Sequence, residues 1–221
     1  VDICVFSYSD VKNQYVMRIA AQVNALGAEF LLLGPKQTEL GSVKPVISVC
    51  ATRTGSGKSQ TSRKIVQLLM KKGLKVVAVR HPMPYGNLSA QKVQRYATLD
   101  DLTKHKCTIE EIEEYEPHIV RGNVIYSGVD YEAILRAAEN DPDGCDVILW
   151  DGGNNDFSFY RPDLSIVVAD PHRAGAEISY YPSEINLLTA DVVIINKIDT
   201  AEPESVEIVR RNIDAVNPRA V

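Results

Sequence analysis

The sequence lacks an excess of positive charge, closely spaced cysteine pairs and long apolar runs, and each absence excludes a class of protein. The 29 acidic residues outnumber the 24 basic ones, and a net charge of −5 argues against nucleic-acid binding through bulk charge. The four cysteines have no C-x-x-C spacing, so we expect reduced core thiols rather than disulfides or a metal site. No apolar run could span a bilayer, and no leader segment is recognised. We therefore expect a cytoplasmic protein without nucleic-acid or membrane partners.

A glycine-rich segment at residues 52–59 follows an apolar run at residues 45–51. Gly55 and Gly57 lack a Cβ, so the backbone can turn several N–H groups inward and form a nest for an anion. A helix that begins directly after the segment would add the positive end of its dipole. The segment is predicted to be a phosphate-binding loop. The alternative is an accidental Gly/Ser turn, which flanking strand and helix patterns disfavour.

Two residues of this loop carry its chemistry. Lys58 is expected to contact the β- and γ-phosphates of a nucleotide, and the Ser59 hydroxyl is expected to bind Mg²⁺. The first glycine of the G-x-x-x-x-G-K-S pattern is replaced by Thr52, while the last three positions are intact. The predicted nucleotide-binding residues of the loop are Thr54, Gly55, Ser56, Gly57, Lys58, Ser59 and Gln60.

Strand and helix patterns alternate from residue 45 onward and predict an α/β fold with a mostly parallel, doubly wound P-loop NTPase sheet. Residues 1–42 contain a strand, an amphipathic helix with Asp10 at its predicted N-cap, and a second strand. We expect them to be the C-terminal part of an upstream α/β, Rossmann-like domain. Residues 43–221 are expected to form a truncated P-loop NTPase domain, cut from a longer protein. A homo-oligomer is expected.

Polar residues follow several of the predicted strands, where ligands of parallel sheets bind. Asp151 ends the strand at residues 147–150 and is expected to hold Mg²⁺, the alternative being a turn-capping aspartate. Asn196, Lys197 and Asp199 follow the last strand and match the Asn-Lys-x-Asp element with which GTPases contact the base. Guanine selectivity is left open, because a strand-to-helix turn with Asp199 at the N-cap gives the same pattern.

Basic residues near these strand ends are candidates for binding an anionic substrate. Arg80, His81 and Tyr85 lie on a proline-rich loop after a strand, and Arg173 follows another strand. Both basic clusters are also compatible with structural roles. Arg53 lies inside the glycine loop, where a cation can stabilise transferring charge. Together with Lys58 and Asp151, Arg53 is predicted to be catalytic.

Three further residues are placed at the site with open alternatives. Glu116 precedes Pro117, which is expected to end a helix there, so its carboxylate is a candidate second Mg²⁺ ligand or part of a solvated helix face. Asn154 and Asn155 follow a double glycine and either face the substrate or cap the turn.

Four segments together resemble the cyclic 2,3-diphosphoglycerate synthetase family: residues 52–62, 80–86, 114–118 and 150–156. The His-Pro-Met-Pro-Tyr-Gly and Trp-Asp-Gly-Gly-Asn-Asn-Asp runs are specific to that resemblance rather than general P-loop features. Proteins of the family are longer, so the chain resembles their central part. The loop, the Glu-Pro-His segment and the acidic strand end are also similar to those of dethiobiotin synthetase, in which a neighbouring group displaces a phosphate from a phosphorylated acid.

The resemblance implies an ATP- and Mg²⁺-dependent ligase that acts on a small phosphorylated acid. It would join the two phosphates of 2,3-bisphosphoglycerate through an intramolecular anhydride, with 2-phosphoglycerate kinase activity in addition. ATP is implied by the family and GTP by the Asn-Lys-x-Asp pattern, and we expect ATP. The rival hypotheses are a regulatory or assembly GTPase and a non-catalytic nucleotide-binding fragment.

Overall fold

The computed structural model describes residues 1–83, 87–153 and 156–221. The strands are β1 (Ile3–Phe6), β2 (Val11–Lys12), β3 (Glu29–Leu32), β4 (Val46–Ala51), β5 (Val76–Arg80), β6 (Gln94–Tyr96), β7 (Val124–Ser127), β8 (Val147–Asp151), β9 (Leu164–Ala169), β10 (Tyr180–Tyr181) and β11 (Val192–Ile195). The helices are α1 (Asn13–Ala25), α2 (Pro35–Thr38), α3 (Lys58–Lys71), α4 (Leu99–Lys104), α5 (Ile109–Ile119), α6 (Tyr131–Glu139), α7 (Ser183–Thr189) and α8 (Pro203–Val216).

The main sheet has seven strands in the order β11-β9-β4-β8-β5-β7-β6. All neighbouring pairs are parallel except β6 with β7, which confirms the predicted α/β fold with a mostly parallel sheet. Strand β4 lies between β8 and β9, so the carboxyl ends of those two strands flank the loop that follows β4. This order brings the polar residues after three strands to one edge of the sheet.

Helices cover both faces of this sheet and enclose two apolar cores. Successive residues of β8 point to opposite faces, with Ile148 and Trp150 in one core and Leu149 in the other. The first core is completed by residues of α6 such as Leu135, and the second by residues of α3 such as Val66. Trp150 is fully buried next to the edge where Asp151 emerges. No helix within the described ranges is long and apolar enough to cross a membrane.

The N-terminal residues form a small parallel sheet of their own, in which β1 pairs with β3. The predicted strand–helix–strand order of this segment is confirmed. The two residues of β2 pair antiparallel with β10, so the segment is hydrogen-bonded to the rest of the chain. The proposed domain boundary after residue 42 stays a prediction.

Local sequence signals define several helix ends. Thr108 and Glu111 form a capping box at the start of α5, with the Glu111 amide donating to the Thr108 hydroxyl at 3.2 Å. Asp130 caps α6 by accepting a hydrogen bond from the Ala133 amide at 3.0 Å. Capping side chains satisfy amides that have no partner inside the helix.

Two expectations about helix ends were wrong. Asp10 does not cap α1, because the N-cap is Lys12 and Asp10 adopts a left-handed conformation with φ of 60°. Pro117 does not end α5, which continues to Ile119. A proline costs a helix one hydrogen bond, but its fixed φ is close to the helical value, and the packing of Ile119 in the core favours the longer helix.

Candidate active site

The glycine loop connects β4 to α3, which is the strand–loop–helix context that the phosphate-site prediction required. Gly55 and Gly57 have φ of 80° and 105°, in the left-handed region that side chains rarely adopt. A Cβ on Gly57 would also collide with the side-chain amide of Asn196. The loop therefore needs glycine at position 57 for two independent reasons.

Lys58 is buried at the first position of α3 and faces the end of β8. Its Nζ lies 2.6 Å from Asp151 Oδ1 and also donates to the carbonyl of Gly152. The exposed side-chain fractions of Lys58 and Asp151 are 8% and 1%. The ammonium that is expected to contact phosphates is thus held by a carboxylate at the same edge of the sheet.

Asp151 is shared between two cations. Its Oδ2 accepts a hydrogen bond from Arg80 Nη1 at 2.7 Å, and Arg80 Nη2 lies 2.9 Å from Glu114 Oε1. Burial by itself would raise the pKa of Asp151, but the charges of Lys58 and Arg80 outweigh it and hold that pKa well below its ordinary value. Asp151 is therefore ionised at neutral pH.

The Asn-Lys pair after β11 is bonded to the glycine loop. Asn196 Nδ2 donates to the Ser56 carbonyl at 2.9 Å, and Lys197 Nζ lies 2.7 Å from both the Gly55 carbonyl and Asp170 Oδ2. Asp199 is exposed in the turn that follows. This part of the motif supports the loop, and the role of Asp199 in base selection stays a prediction.

Asp170, directly after β9, was not singled out from the sequence. Besides Lys197 it accepts a hydrogen bond from Arg173 Nη2 at 3.0 Å, and the same nitrogen donates to the Thr54 carbonyl at 2.7 Å. Arg173 is therefore at the glycine loop, where the structure ties it to the backbone. The sequence did contain a signal for this residue, because Asp170 stands at the end of a strand as Asp151 does.

Arg53 is oriented by residues from outside the P-loop strand and helix. Its Nε lies 2.6 Å from Asp10 Oδ1, and its guanidinium lies 3.8 Å from the centre of the Tyr180 ring. Thr54 Oγ1 donates to Asp10 Oδ2 at 3.2 Å. Asp10 thus links the N-terminal segment to the loop. The left-handed backbone conformation of Asp10 could not be predicted from the sequence.

A cavity of about 700 Å³ lies over the glycine loop, and basic side chains outnumber carboxylates in its lining. Most predicted site residues line it, and Ser56 is buried beneath the loop. Sequence reasoning missed Arg63, Glu113, Glu114 and Gly153, which follow the loop by one helical turn or lie on the neighbouring α5 and the β8 end. The lining residues are Arg53, Thr54, Gly55, Gly57, Lys58, Ser59, Gln60, Arg63, Arg80, Glu113, Glu114, Gly153, Asn196 and Lys197.

Other predicted residues lie away from this cavity or outside the described ranges. Glu116 is exposed and lines an adjacent cavity of about 600 Å³ between α3 and α5, so its role as a metal ligand stays a prediction. Tyr85, Asn154 and Asn155 lie outside the described residues.

His81 is not among the residues that line the cavity over the glycine loop and lies next to the end of β8, with its ring centre 5.3 Å from that of Trp150. Its Nδ1 is 2.5 Å from the Tyr131 hydroxyl, and its Nε2 is 3.5 Å from Asp156 Oδ2. Burial lowers the pKa of His81, so the ring is neutral at pH 7. A phosphate or carboxylate would therefore meet a neutral hydrogen-bonding ring at His81 and not a cation.

The residues at the loop suit a Mg²⁺ ion that arrives with a nucleotide. Ser59 and Asp151 offer hydroxyl and carboxylate oxygens, the ligand types that Mg²⁺ takes, and a nucleotide-borne ion needs only one or two protein ligands. Within the described ranges, no group of three or more His, Cys, Asp or Glu residues is arranged to hold a metal by itself. The donor types of Ser59 and Asp151 therefore fit the ion, and Asp151 can offer Oδ1 once Lys58 turns from it to a phosphate.

The parallel sheet, the glycine loop and Lys58 at the start of α3 define the fold as that of a P-loop NTPase. Among solved structures, LpxK from Aquifex aeolicus in complex with ATP matches with a TM-score of 0.58 and 15% identity, over 85% of this chain and 57% of that one. A ParA family ATPase from Chlorobium tepidum matches with a TM-score of 0.47 and 15% sequence identity, over 80% of this chain and 81% of that one. The likeness to LpxK concerns the fold alone.

In sequence, the chain is 61% identical over 220 residues to arginine synthetase ArcE from Thermococcus kodakarensis. The alignment covers 100% of this chain and 48% of ArcE, so the chain spans about half the length of that relative. No family model matches the chain.

Proposed function

We propose that the chain forms the nucleotide-binding and phosphoryl-transferring part of an ATP-dependent ligase. The observation that carries the proposal is the buried contact between Lys58 and Asp151, 2.6 Å apart beside the glycine loop. P-loop enzymes use this lysine on the phosphates and a strand-end carboxylate at the metal.

Binding of a triphosphate would exchange the partners of Lys58. Phosphate oxygens would replace Asp151 at the ammonium, and Asp151 would keep Arg80 as its cation. Ser59 and Asp151 would hold Mg²⁺, which would neutralise charge on the transferring phosphoryl group. Arg53 lines the same cavity and would stabilise charge that develops there. Such chemistry depends on positioning and charge more than on a proton shuttle, which agrees with a neutral His81.

For the acceptor, we extend to this chain the reaction that the name of its 61% identical relative states, the synthesis of arginine. A ureido group becomes a guanidinium when its oxygen is made a leaving group. The ureido oxygen would attack the γ-phosphorus of ATP and ADP would leave. Ammonia would then add to the ureido carbon and phosphate would leave with the oxygen, giving arginine, ADP and phosphate from citrulline.

The second candidate acceptor is 2,3-bisphosphoglycerate, closed into its cyclic anhydride. The resemblance of residues 80–86 and 150–156 supports it, as does the basic lining of the 700 Å³ cavity. Here one phosphate of the substrate would attack the γ-phosphorus of ATP, and ADP would leave. The other phosphate of the substrate would then attack the phosphorus of the first, and the transferred group would leave as inorganic phosphate. Both candidates share the first step, so they differ only in acceptor and nucleophile.

The test uses the complete gene product with Mg-ATP or Mg-GTP and one of three additions: citrulline with ammonium, 2,3-bisphosphoglycerate, or nothing. Arginine is measured by chromatography and phosphate species by phosphorus NMR. We expect ADP and arginine in equal amounts with ATP, and little hydrolysis without an acceptor. A cyclic anhydride as the sole product would select the second candidate.

If the protein hydrolyses GTP in preference to ATP, and neither acceptor changes the rate, the ligase proposal is overturned. That result would favour a regulatory GTPase, which is the alternative suggested by the motif at Asn196 and Lys197. Lys58→Ala provides the internal control, because it removes the lysine on which either reaction depends. Product formation that is unchanged in Lys58→Ala would also contradict the proposal.

A further inference from the structure

A second, mostly apolar cavity of about 240 Å³ lies between the N-terminal sheet and the residues after β8. Its walls include Phe6, Phe157, Phe159 and Tyr181, and Ser7 stands at its rim. Asp156 is the one charged residue among the described residues that line it. An acidic group in an otherwise apolar cavity is a feature of ligand sites, which combine an apolar wall with a few polar anchors.

This apolar cavity adjoins the cavity over the glycine loop at two places. Gly153 lines the loop cavity, and a Cβ built on Gly153 would stand 3.1 Å from Asp156 Oδ2. On the other side, Tyr180 stacks on Arg53 at the loop, whereas its neighbour Tyr181 lines the apolar cavity. A molecule in the apolar cavity would thus lie beside the place where the phosphate chain is expected.

The carboxylate of Asp156 faces a hydrogen-bonded pair of half-buried rings, His81 and Tyr131. The Tyr131 hydroxyl lies 2.5 Å from His81 Nδ1, and which of the two donates depends on the ring tautomer. The other ring nitrogen, Nε2, lies 3.5 Å from Asp156 Oδ2, is buried and makes no hydrogen bond with the described residues. Asp156 therefore keeps acceptor capacity for a ligand, because His81 is too distant to occupy its carboxylate oxygen.

We propose that this cavity is the acceptor-substrate site, and that it takes a compact molecule with an aliphatic body and an N–H-rich end that donates to Asp156. At about 30 Å³ per water-sized group, the cavity has room for about eight non-hydrogen atoms. The side chain of an amino acid with a ureido or guanidino end has this size and chemistry. A bisphosphorylated acid does not, because its phosphates would face a carboxylate among apolar walls.

The inference rests on the proposed function and names the substrate class for it. In phosphoryl transfer the acceptor oxygen must stand in line with the γ-phosphorus, so its site must adjoin the phosphate loop. Donation of the ureido N–H groups to Asp156 would fix which atom of the acceptor faces the phosphates. Asp156 would act here as a positioning and specificity residue.

The experiment measures binding of L-arginine and of ATP to the complete gene product by calorimetry, in the wild type and three variants. Asp156→Asn keeps the shape and removes the charge, and Ser7→Phe fills the cavity from its rim. Asp214→Asn, exposed on α8, is the control. We expect Asp156→Asn to weaken arginine binding about 10- to 100-fold, as the loss of a charge-assisted hydrogen bond does, with ATP affinity unchanged within about twofold. Ser7→Phe should weaken arginine binding to a similar extent, and Asp214→Asn should change neither affinity.

Arginine affinity that is equal in all variants would overturn the inference, and so would an absence of arginine binding while ATP binds in a Lys58-dependent manner. In either case the nucleotide proposal stands. If ATP does not bind, the proposed function fails. The arginine measurements still decide whether the apolar cavity binds a molecule of this class. Binding of 2,3-bisphosphoglycerate that improves in Asp156→Asn would also contradict the inference, because it would place an anionic acceptor there.

Discussion

Lys58 and Asp151 form a buried ion pair, with 2.6 Å between Nζ and Oδ1. Arg80 occupies the second oxygen of the same carboxylate, so two cations surround one anion at the end of β8. Breaking such a pair leaves an incompletely compensated charge in a buried site, whereas a phosphate can take the place of the carboxylate at Lys58. The pair thus orients the loop lysine toward the end of β8.

Substitution of Lys58 by alanine should separate binding from folding. We expect nucleotide affinity to fall about 10- to 100-fold and the free energy of unfolding to fall by about 1–3 kcal/mol, since Arg80 still compensates Asp151. Calorimetry and urea denaturation measure the two effects. Lys64→Ala, an exposed position on the same helix, is the control and should change neither. Equal nucleotide affinity in Lys58→Ala and Lys64→Ala would exclude a phosphate role for Lys58.

Gly57 should not tolerate a side chain. We expect Gly57→Ala to lower the free energy of unfolding by about 2–4 kcal/mol and to abolish nucleotide binding, because a left-handed alanine is strained and its Cβ collides with Asn196. Gly73→Ala is the matched control: its φ of 82° is similar, but a Cβ there meets nothing within 4 Å. It should cost only about 1 kcal/mol.

The collision at Gly57 can be tested separately from the strain. Adding Asn196→Ala to Gly57→Ala removes the colliding amide and should recover part of the lost stability, measured by the same urea denaturation. No recovery would mean that backbone strain alone accounts for the glycine.

Removal of the Asp10 carboxylate should have opposite effects on binding and stability. Asp10 neutralises Arg53 from the N-terminal segment, so Asp10→Asn should raise nucleotide affinity a few-fold by leaving the guanidinium free for phosphates. It should lower the free energy of unfolding by about 1 kcal/mol or less, because the pair is partly exposed. Calorimetry and urea denaturation test both signs, and Asp214→Asn again serves as the control. Weaker nucleotide binding in Asp10→Asn would show that Asp10 orients Arg53 rather than competing for it.

His118 should make stability depend on pH between about 4 and 6.5. Burial in α5 lowers the pKa of His118 from 6.5 to about 4, so the unfolded chain binds a proton that the folded chain does not bind. Stability is therefore retained above pH 6.5 and lost as the pH falls toward 4, by about 3 kcal/mol in all. Urea denaturation at several pH values should show a shallower slope in His118→Gln. A residual slope is expected from His81, whose pKa is also lowered by burial. Parallel curves for variant and wild type would contradict the assignment.

Sequence patterns predicted those parts of the fold that depend on local chemistry. The glycine loop and the strand that ends at Asp151 each follow from neighbouring residues, and the structure has both where they were expected. The position of Asp151 beside the loop agrees with the rule that parallel strands bring their carboxyl ends to one edge.

The parts that were missed depend on tertiary contacts. Asp10 reaches Arg53 only through a left-handed backbone and the pairing of β2 with β10, neither of which leaves a pattern in sequence. Pro117 continues a helix that a local rule would end, because packing of the last turn outweighs one lost hydrogen bond. The acidic partners Asp170 and Glu114 were visible as residue types, but their cations Lys197 and Arg80 come from elements distant in sequence.

Trp150 is the single tryptophan of the chain and is fully buried one residue before Asp151, with its ring centre 5.3 Å from that of His81. Its fluorescence therefore arises from one place, a strand end close to residues that line each cavity. We expect ligands in either cavity to change the native emission of the protein, so that rapid mixing can resolve the order of their binding without an attached dye.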